Sequence, residues 1–156
     1  MARKSNYDKF PFVAAGQRDE CAVGWDAIAL QLAGARVVCV ECYPGVRMED
    51  LQSALVERLQ PGTVLCASDG YKSVAEIRAM LAPHLGEDRV FGRMNGLTLE
   101  DWFDPSALKR MSEEVIARAE HGTVLVLGPG ASLLATECDV LVYADMARWE
   151  IQLRYR

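Results

Sequence analysis

The chain has 156 residues, of which 51% are hydrophobic and 25% are charged, and its formal net charge at pH 7 is -5. These values are typical of one soluble globular domain and exclude a disordered chain. The acidic balance argues against nucleic-acid and membrane-surface partners, and no apolar run approaches the roughly 20 residues of a membrane span. The basic first residues lack the apolar core of a signal peptide, so we predict a cytoplasmic protein.

The N-terminal half predicts an extended lead-in followed by alternating helices and strands. Residues 1–20 are mostly polar and carry four residues that can pack against the domain, namely Tyr7, Phe10, Pro11 and Phe12. Apolar residues recur at helical spacing in three later segments, which are residues 25–32, 48–59 and 74–81. Apolar runs between these helices predict strands that begin near Arg36 and Thr63.

The C-terminal half is less regular at first and then resumes the alternation. Residues 84–105 predict loops with a possible short strand, Arg89–Phe91, and a turn that packs Trp102 and Phe103. A helix follows over residues 105–119, with Pro105 in its first turn and Asp104 as its cap. Strands from Thr123 and Val140 precede a final helix. Because that helix reaches the last residue with no glycine or proline stop, we predict an element cut at its C-terminal end.

Four apolar runs determine the predicted fold class. They read VVCVE, TVLCA, TVLVL and VLVYA, with no polar alternation, and each is followed by a loop of small or polar residues. Such runs indicate strands buried on both faces, as in a parallel sheet between layers of helices. We therefore predict one α/β domain over residues 21–156, with a mostly parallel sheet flanked by helices and a ligand crevice at the carboxyl ends of the strands.

Two of these loops have the strand–glycine–helix pattern that holds phosphate through backbone N–H groups. Glu41, Tyr43 and Gly45 follow the first strand, and a second such loop contains Gly128, Gly130 and Ser132. Neither loop is a Walker A motif, because both lack its Lys. The alternative is that both are ordinary Pro-Gly turns.

The other two loops carry charged candidates. After the second strand, Asp69 is a possible base or metal ligand and Lys72 a possible anion contact, although Asp69 could instead cap the next helix. After the fourth strand, Asp145 is followed by Arg148, whose guanidinium could hold a phosphate with two hydrogen bonds. The alternative for this segment is an exposed helix with ordinary ion pairs, which we favour for Arg154.

The histidines and cysteines of the sequence do not indicate a metal or cofactor site. His84 and His121 lie near predicted helix ends, and their spacing does not connect them to each other or to cysteines as zinc ligands. The five cysteines form no regular framework, so we predict reduced thiols that pack as small hydrophobic groups. Cys42 is the exception, because it lies at a strand end that should face the crevice.

Three segments carry a resemblance to a known family, and they span nearly the whole chain. They are Ser5–Phe12 (SNYDKFPF), Val40–Val46 (VECYPGV) and Tyr143–Gln152 (YADMARWEIQ). They resemble the N-terminal region of bacterial proteins described as class I mannose-6-phosphate isomerases. The order of elements also resembles uridine-kinase-like phosphotransferases, in which a strand-end Asp followed by an aromatic residue and Lys is similar to Asp69-Gly70-Tyr71-Lys72.

The resemblance implies an accessory, P-loop-kinase-like domain without an intact Walker A motif. Its implied partners are a phosphorylated sugar or nucleotide and a downstream catalytic isomerase domain, whose metal site would lie beyond Arg156. Two alternatives stay open: an active phosphotransferase with Asp69 as its base, and a purely structural docking domain.

Overall fold

The computed structural model describes residues 21–86 and 92–154, and it confirms the predicted fold class. Four parallel strands form one sheet in the order β2-β3-β1-β4. The strands are β1 (Val37–Cys42), β2 (Thr63–Cys66), β3 (Val124–Gly128) and β4 (Val140–Ala144). The lead-in predicted for residues 1–20 and the possible strand Arg89–Phe91 lie outside the described residues.

Six α-helices precede, connect or follow these strands in the described part of the chain, and the bounds of the first four agree with those predicted from the apolar spacing. They are α1 (Trp25–Leu32), α2 (Met48–Leu59), α3 (Val74–Leu81), α4 (Pro105–Ala119), α5 (Ala131–Leu134) and α6 (Arg148–Arg154). The Asp104 side chain caps α4 by accepting a hydrogen bond from the Ala107 N–H at 2.8 Å, as predicted. Ser73 rather than Asp69 caps α3, in a reciprocal pair with Glu76.

Each face of the sheet has its own hydrophobic core. On one face, Val38, Val40 and Cys42 of β1 pack with apolar residues of α1 and α2. On the other face, Val37 and Cys39 pack with residues of α4 and α5 and with Phe103. Because side chains alternate along a strand, the unbroken apolar run of β1 supplies both cores.

The central and edge strands differ in burial. All of β3 and nearly all of β1 are buried, as the continuous apolar runs predict. In β4, however, Leu141 and Tyr143 have relative exposures of 59% and 61%. Within residues 21–86 and 92–154, no helix covers that side of β4, so the described part of the chain does not bury β4 on both faces as predicted.

Candidate functional site

The predicted site residues lie along the carboxyl edge of the sheet. Helix α2 leaves β1 toward one face and α5 leaves β3 toward the other, so the chain diverges between these neighbouring strands. In open α/β sheets, ligands bind in the crevice beside such a divergence. The loops after β2 and β4 stand at opposite ends of this edge, three strand spacings or about 14 Å apart.

Glu41, near the end of β1, caps the start of α5. Its carboxylate accepts hydrogen bonds from the backbone N–H of Gly130 at 2.6 Å and of Ser132 at 2.9 Å. The Ser132 hydroxyl donates a third hydrogen bond to it at 2.8 Å. The negative charge therefore lies where a phosphate would bind at this helix start, and the protein supplies the anion itself.

Two aromatic rings pack beside the start of α5. Phe103 is almost fully buried and meets Tyr71 edge to face, with 4.9 Å between ring centroids. Gly130 has φ +87°, and a Cβ atom there would lie 2.6 Å from the Phe103 ring. The glycine is thus required both by its backbone conformation and by the close approach of the ring.

The Tyr71 hydroxyl fixes the turn that precedes α5. It donates a hydrogen bond to the Pro129 carbonyl oxygen at 2.6 Å. Burial raises the pKa of this phenol, and the nearby Glu41 and Cys42 raise it further. The hydroxyl therefore stays protonated and remains a donor at neutral pH.

The loop after β1 is built differently. The Val46 N–H donates to the Tyr43 carbonyl at 3.1 Å in a turn that contains Gly45 at φ +112°. Helix α2 then starts after Arg47, whose side chain does not cap it, and no other side chain of residues 21–86 and 92–154 accepts a hydrogen bond from its first N–H groups. Among the described residues, this second helix start on the same edge has no internal anion like Glu41.

Arg154 of α6 lies against this loop. Its guanidinium donates one hydrogen bond to the Gly45 carbonyl oxygen and another to Glu150 at 3.0 Å. The side chain borders a cavity of about 370 Å³ that also meets Trp25, Arg47, Asp145 and Met146. The sequence alone predicts an ordinary exposed position for Arg154, because the spacing within α6 does not show which loop the helix crosses.

Lys72 and Asp69 lie at the other end of the edge, after β2. The Lys72 ammonium donates to the Asp101 carbonyl oxygen at 2.6 Å, and its backbone N–H donates to the Trp102 carbonyl at 2.9 Å. Lys72 thus anchors the turn that holds Phe103. Asp69 is exposed in a short 3₁₀ turn, Ala67–Gly70.

The predicted residues after β4 are exposed. Asp145 accepts a hydrogen bond from the Met146 N–H at 2.7 Å. Arg148 begins α6, and its guanidinium makes no ion pair with another described residue. The structure therefore places Arg148 and Lys72 in the loops after opposite edge strands of the sheet.

Cys42 does not face the crevice. Its side chain is buried in the core beside α2, and burial raises the pKa of its thiol. The pKa of the Cys39 thiol is raised to about 12, chiefly by burial and also by the nearby Cys138 and Glu41. Neither thiol has the lowered pKa of a catalytic nucleophile.

The described residues contain no group of three His, Cys, Asp or Glu side chains arranged to hold a metal ion. Within the same ranges, each helix is too short or too polar to cross a membrane.

Comparison with known proteins identifies the family of the chain. A family model described as a domain of unknown function, DUF8485, matches residues 24–156, so the chain belongs to that family. No curated protein and no solved structure matches the chain significantly.

Proposed function

We propose that this DUF8485 domain binds a phosphorylated small molecule, a sugar phosphate or a nucleotide, at the start of α2. The observation that carries the proposal is the N-terminus of α2, which no described side chain caps and which lies beside a cavity, with the Arg154 guanidinium held over the Gly45 loop. In line with the resemblance described above, the domain would serve as the accessory kinase-like part of a mannose-6-phosphate isomerase-type protein.

The backbone supplies the first part of an anion site. The Leu51 N–H is the first in α2 to find a helical partner, the Arg47 carbonyl oxygen at 3.2 Å. The preceding N–H groups, at Met48, Glu49 and Asp50, have no side-chain cap in the part of the chain that the structure describes. Three donors and the positive end of a 12-residue helix favour a bound anion at this position.

Two guanidinium groups supply the second part. Arg154 uses one N–H on Gly45 and one on Glu150, and a guanidinium has five donors. The remaining donors are available for the paired hydrogen bonds that arginine makes with phosphate. Arg47 is held only by an exposed pair with Asp50 at 3.8 Å, so it can turn toward a ligand at little cost.

Nearby carboxylates offset the positive charge of the two arginines at this site. Asp50 and Asp145 line the same cavity as the two arginines, so the local charge is balanced before a ligand arrives. A phosphate therefore gains from the arginines and the helix start but is repelled by the carboxylates. We expect affinity that falls as salt is added, because these charges are largely exposed.

Binding without phosphoryl transfer is the simplest chemistry for this loop. A phosphate-transferring P-loop uses a Lys on the terminal phosphates and a Ser or Thr on magnesium, and Tyr43–Arg47 has none of these residues. Asp69, the candidate base, follows β2, two strand spacings or about 10 Å from the end of β1.

The test is calorimetric titration of the full chain with inorganic phosphate, mannose 6-phosphate and UMP. Arg154→Gln should weaken binding about ten- to a hundredfold, the usual effect of one lost charge-assisted contact. Arg118→Gln is the matched control, because Arg118 pairs with Glu114 four residues earlier just as Arg154 pairs with Glu150. The control variant should bind within about twofold of the wild type.

Other outcomes would redirect the assignment. A larger loss in Arg148→Ala than in Arg154→Gln would make Arg148 the main phosphate contact, as the sequence alone predicts. No binding of any phosphorylated ligand by the wild type would favour the docking domain. Magnesium-dependent ATP turnover that disappears in Asp69→Asn would favour the phosphotransferase.

A further inference from the structure

Strand β4 forms an open edge of the sheet. It pairs with β1 on one side and, within residues 21–86 and 92–154, with no strand on the other. Its side chains Leu141 and Tyr143 are 59% and 61% exposed, and they lie two residues apart on one face. An edge that combines unpaired backbone groups with exposed apolar side chains favours the addition of another strand.

Natural edge strands usually carry a feature that prevents such pairing. Charged side chains, proline and bulges are the common ones, and Val140–Ala144 has no charge and no proline. Charges stand only outside the strand, at Asp139 and Asp145. The composition of β4 is therefore typical of a strand that is covered in the folded protein.

The described chain begins close to the carboxyl end of β4. Trp25, the first residue of α1, borders the same cavity as Ala144, the last residue of β4. The 20 residues before Cys21 can span about 66 Å when extended, whereas β4 needs only about 16 Å. The N-terminal segment can therefore reach the whole of this edge.

The handedness of crossovers selects this edge over the one at β2. Helix α2 crosses from β1 to β2 on the face that α1 also covers. Crossovers between parallel strands have one hand in nearly all proteins. The β1–β2 crossover runs across the sheet from β1 toward the β2 edge. A crossover from a strand that precedes α1 to β1 must run in the same direction. That strand must therefore lie on the β4 side of β1, beside β4.

The sequence of the N-terminal segment matches the exposed face of β4. Phe10 and Phe12 are two residues apart, the same spacing as Leu141 and Tyr143, so both pairs can meet across neighbouring strands. Pro11 lies between the phenylalanines and lacks an N–H group. It is suited to an outermost strand, where it would block further pairing.

We propose that residues 7–13 add to β4 as a fifth, parallel strand and form a strand–α1–β1 unit with the rest of the domain. Phe10 and Phe12 cover Leu141 and Tyr143. The basic residues that precede this segment, Arg3 and Lys4, are complementary to the acidic side chains that flank β4. This inference is independent of the phosphate site at the start of α2.

Hydrogen exchange of the full chain, read by mass spectrometry, tests the proposal. The double substitution Phe10→Ser with Phe12→Ser should speed exchange of peptides spanning residues 139–145 by about tenfold or more, because the edge amides lose their partners. Tyr7→Ser is the control in the same segment, on the opposite face of the proposed strand, and should change exchange by less than about twofold. The reciprocal test is a substitution on β4: Leu141→Arg should speed exchange of residues 7–13.

Unchanged exchange at residues 139–145 in the double variant would overturn the proposal. Protection of β4 that rises with protein concentration, together with a dimer by light scattering, would instead identify a second copy as the covering strand. Rapid exchange of β4 in the wild type at all concentrations would show that nothing in this chain covers it.

Discussion

The loops after β1 and β3 have nearly the same local pattern, a buried strand followed by Pro-Gly and a helix. After β3, the Glu41 carboxylate caps the helix start and Phe103 covers it. After β1, the helix start has no cap from a described side chain and borders a cavity with two arginines. The difference teaches that a phosphate-loop pattern does not identify a ligand site until the partners of its N–H groups are known.

The largest expected effect tests how tightly the start of α5 is closed. Gly130→Ala should reduce the free energy of unfolding by about 4 kcal/mol, because the left-handed backbone disfavours a side chain and the added Cβ meets the buried Phe103. Gly34→Ala is the matched control, since Gly34 also has φ +87° but no atom within 4 Å of an added Cβ. The control should lose only about 1–2 kcal/mol.

Urea denaturation of both variants measures this difference. Equal losses for the two substitutions would mean that Phe103 moves aside freely and that the α5 start is no more closed than the α2 start.

A slightly smaller effect is expected from removing the internal anion. Glu41→Ala should reduce the free energy of unfolding by about 3 kcal/mol, because three hydrogen bonds to a half-buried carboxylate are lost. Glu114→Ala on α4, which removes only a surface ion pair with Arg118, should change it by about 0.5 kcal/mol or less.

Added sulfate sharpens the comparison between the two loops. If Glu41 occupies an anion site, its removal opens that site, and sulfate should stabilise Glu41→Ala more than the wild type in thermal unfolding. Equal stabilisation by sulfate would contradict the view that the carboxylate stands in for a bound anion.

A single hydrogen bond accounts for the third effect. Tyr71→Phe should lower the free energy of unfolding by about 1 kcal/mol, because the Pro129 carbonyl loses its donor while the packing against Phe103 is kept. Tyr143→Phe is the control, because the hydroxyl of the exposed Tyr143 makes no hydrogen bond with another described residue. A loss of similar size in both variants would assign the effect to something other than the Pro129 turn.

Local patterns predicted most of the fold. Apolar spacing gave α1, α2 and α4, because helix and strand periods depend on near neighbours. The exposure of β4 was missed, since burial of an edge strand depends on which element covers it. Periodicity within a strand carries no information about that neighbour.

The candidate site was less predictable for the same physical reason. Glu41 and Gly130 are 89 residues apart, so their hydrogen bond follows from the strand order and not from either loop. Arg154 reaches Gly45 across a separation of 109 residues. Strand-end loops could be identified from the sequence, but which of them has an internal partner could not.

The smallest expected effect concerns Asp139, an exposed carboxylate that repeats the arrangement of Glu41 at the opposite end of β1. It accepts hydrogen bonds from the N–H groups of Arg36 at 2.7 Å and Val37 at 2.8 Å. These bonds, chiefly that from Val37, lower its pKa below the usual value for aspartate. A lowered pKa in the folded state means that the ionised form stabilises the fold.

This stabilisation should be fully present above the aspartate pKa of the unfolded chain and lost as pH falls through the lower pKa of the folded protein. Asp139→Asn should therefore be less stable than the wild type near neutral pH, and the gap should close as pH falls from about 4, the ordinary pKa of aspartate, into the acid range. Urea titrations across that range measure the gap. A gap that stays constant down to the lowest pH would show that the loss of stability does not depend on the ionised form of Asp139, so that charge would matter at the half-buried Glu41 but not at the exposed Asp139.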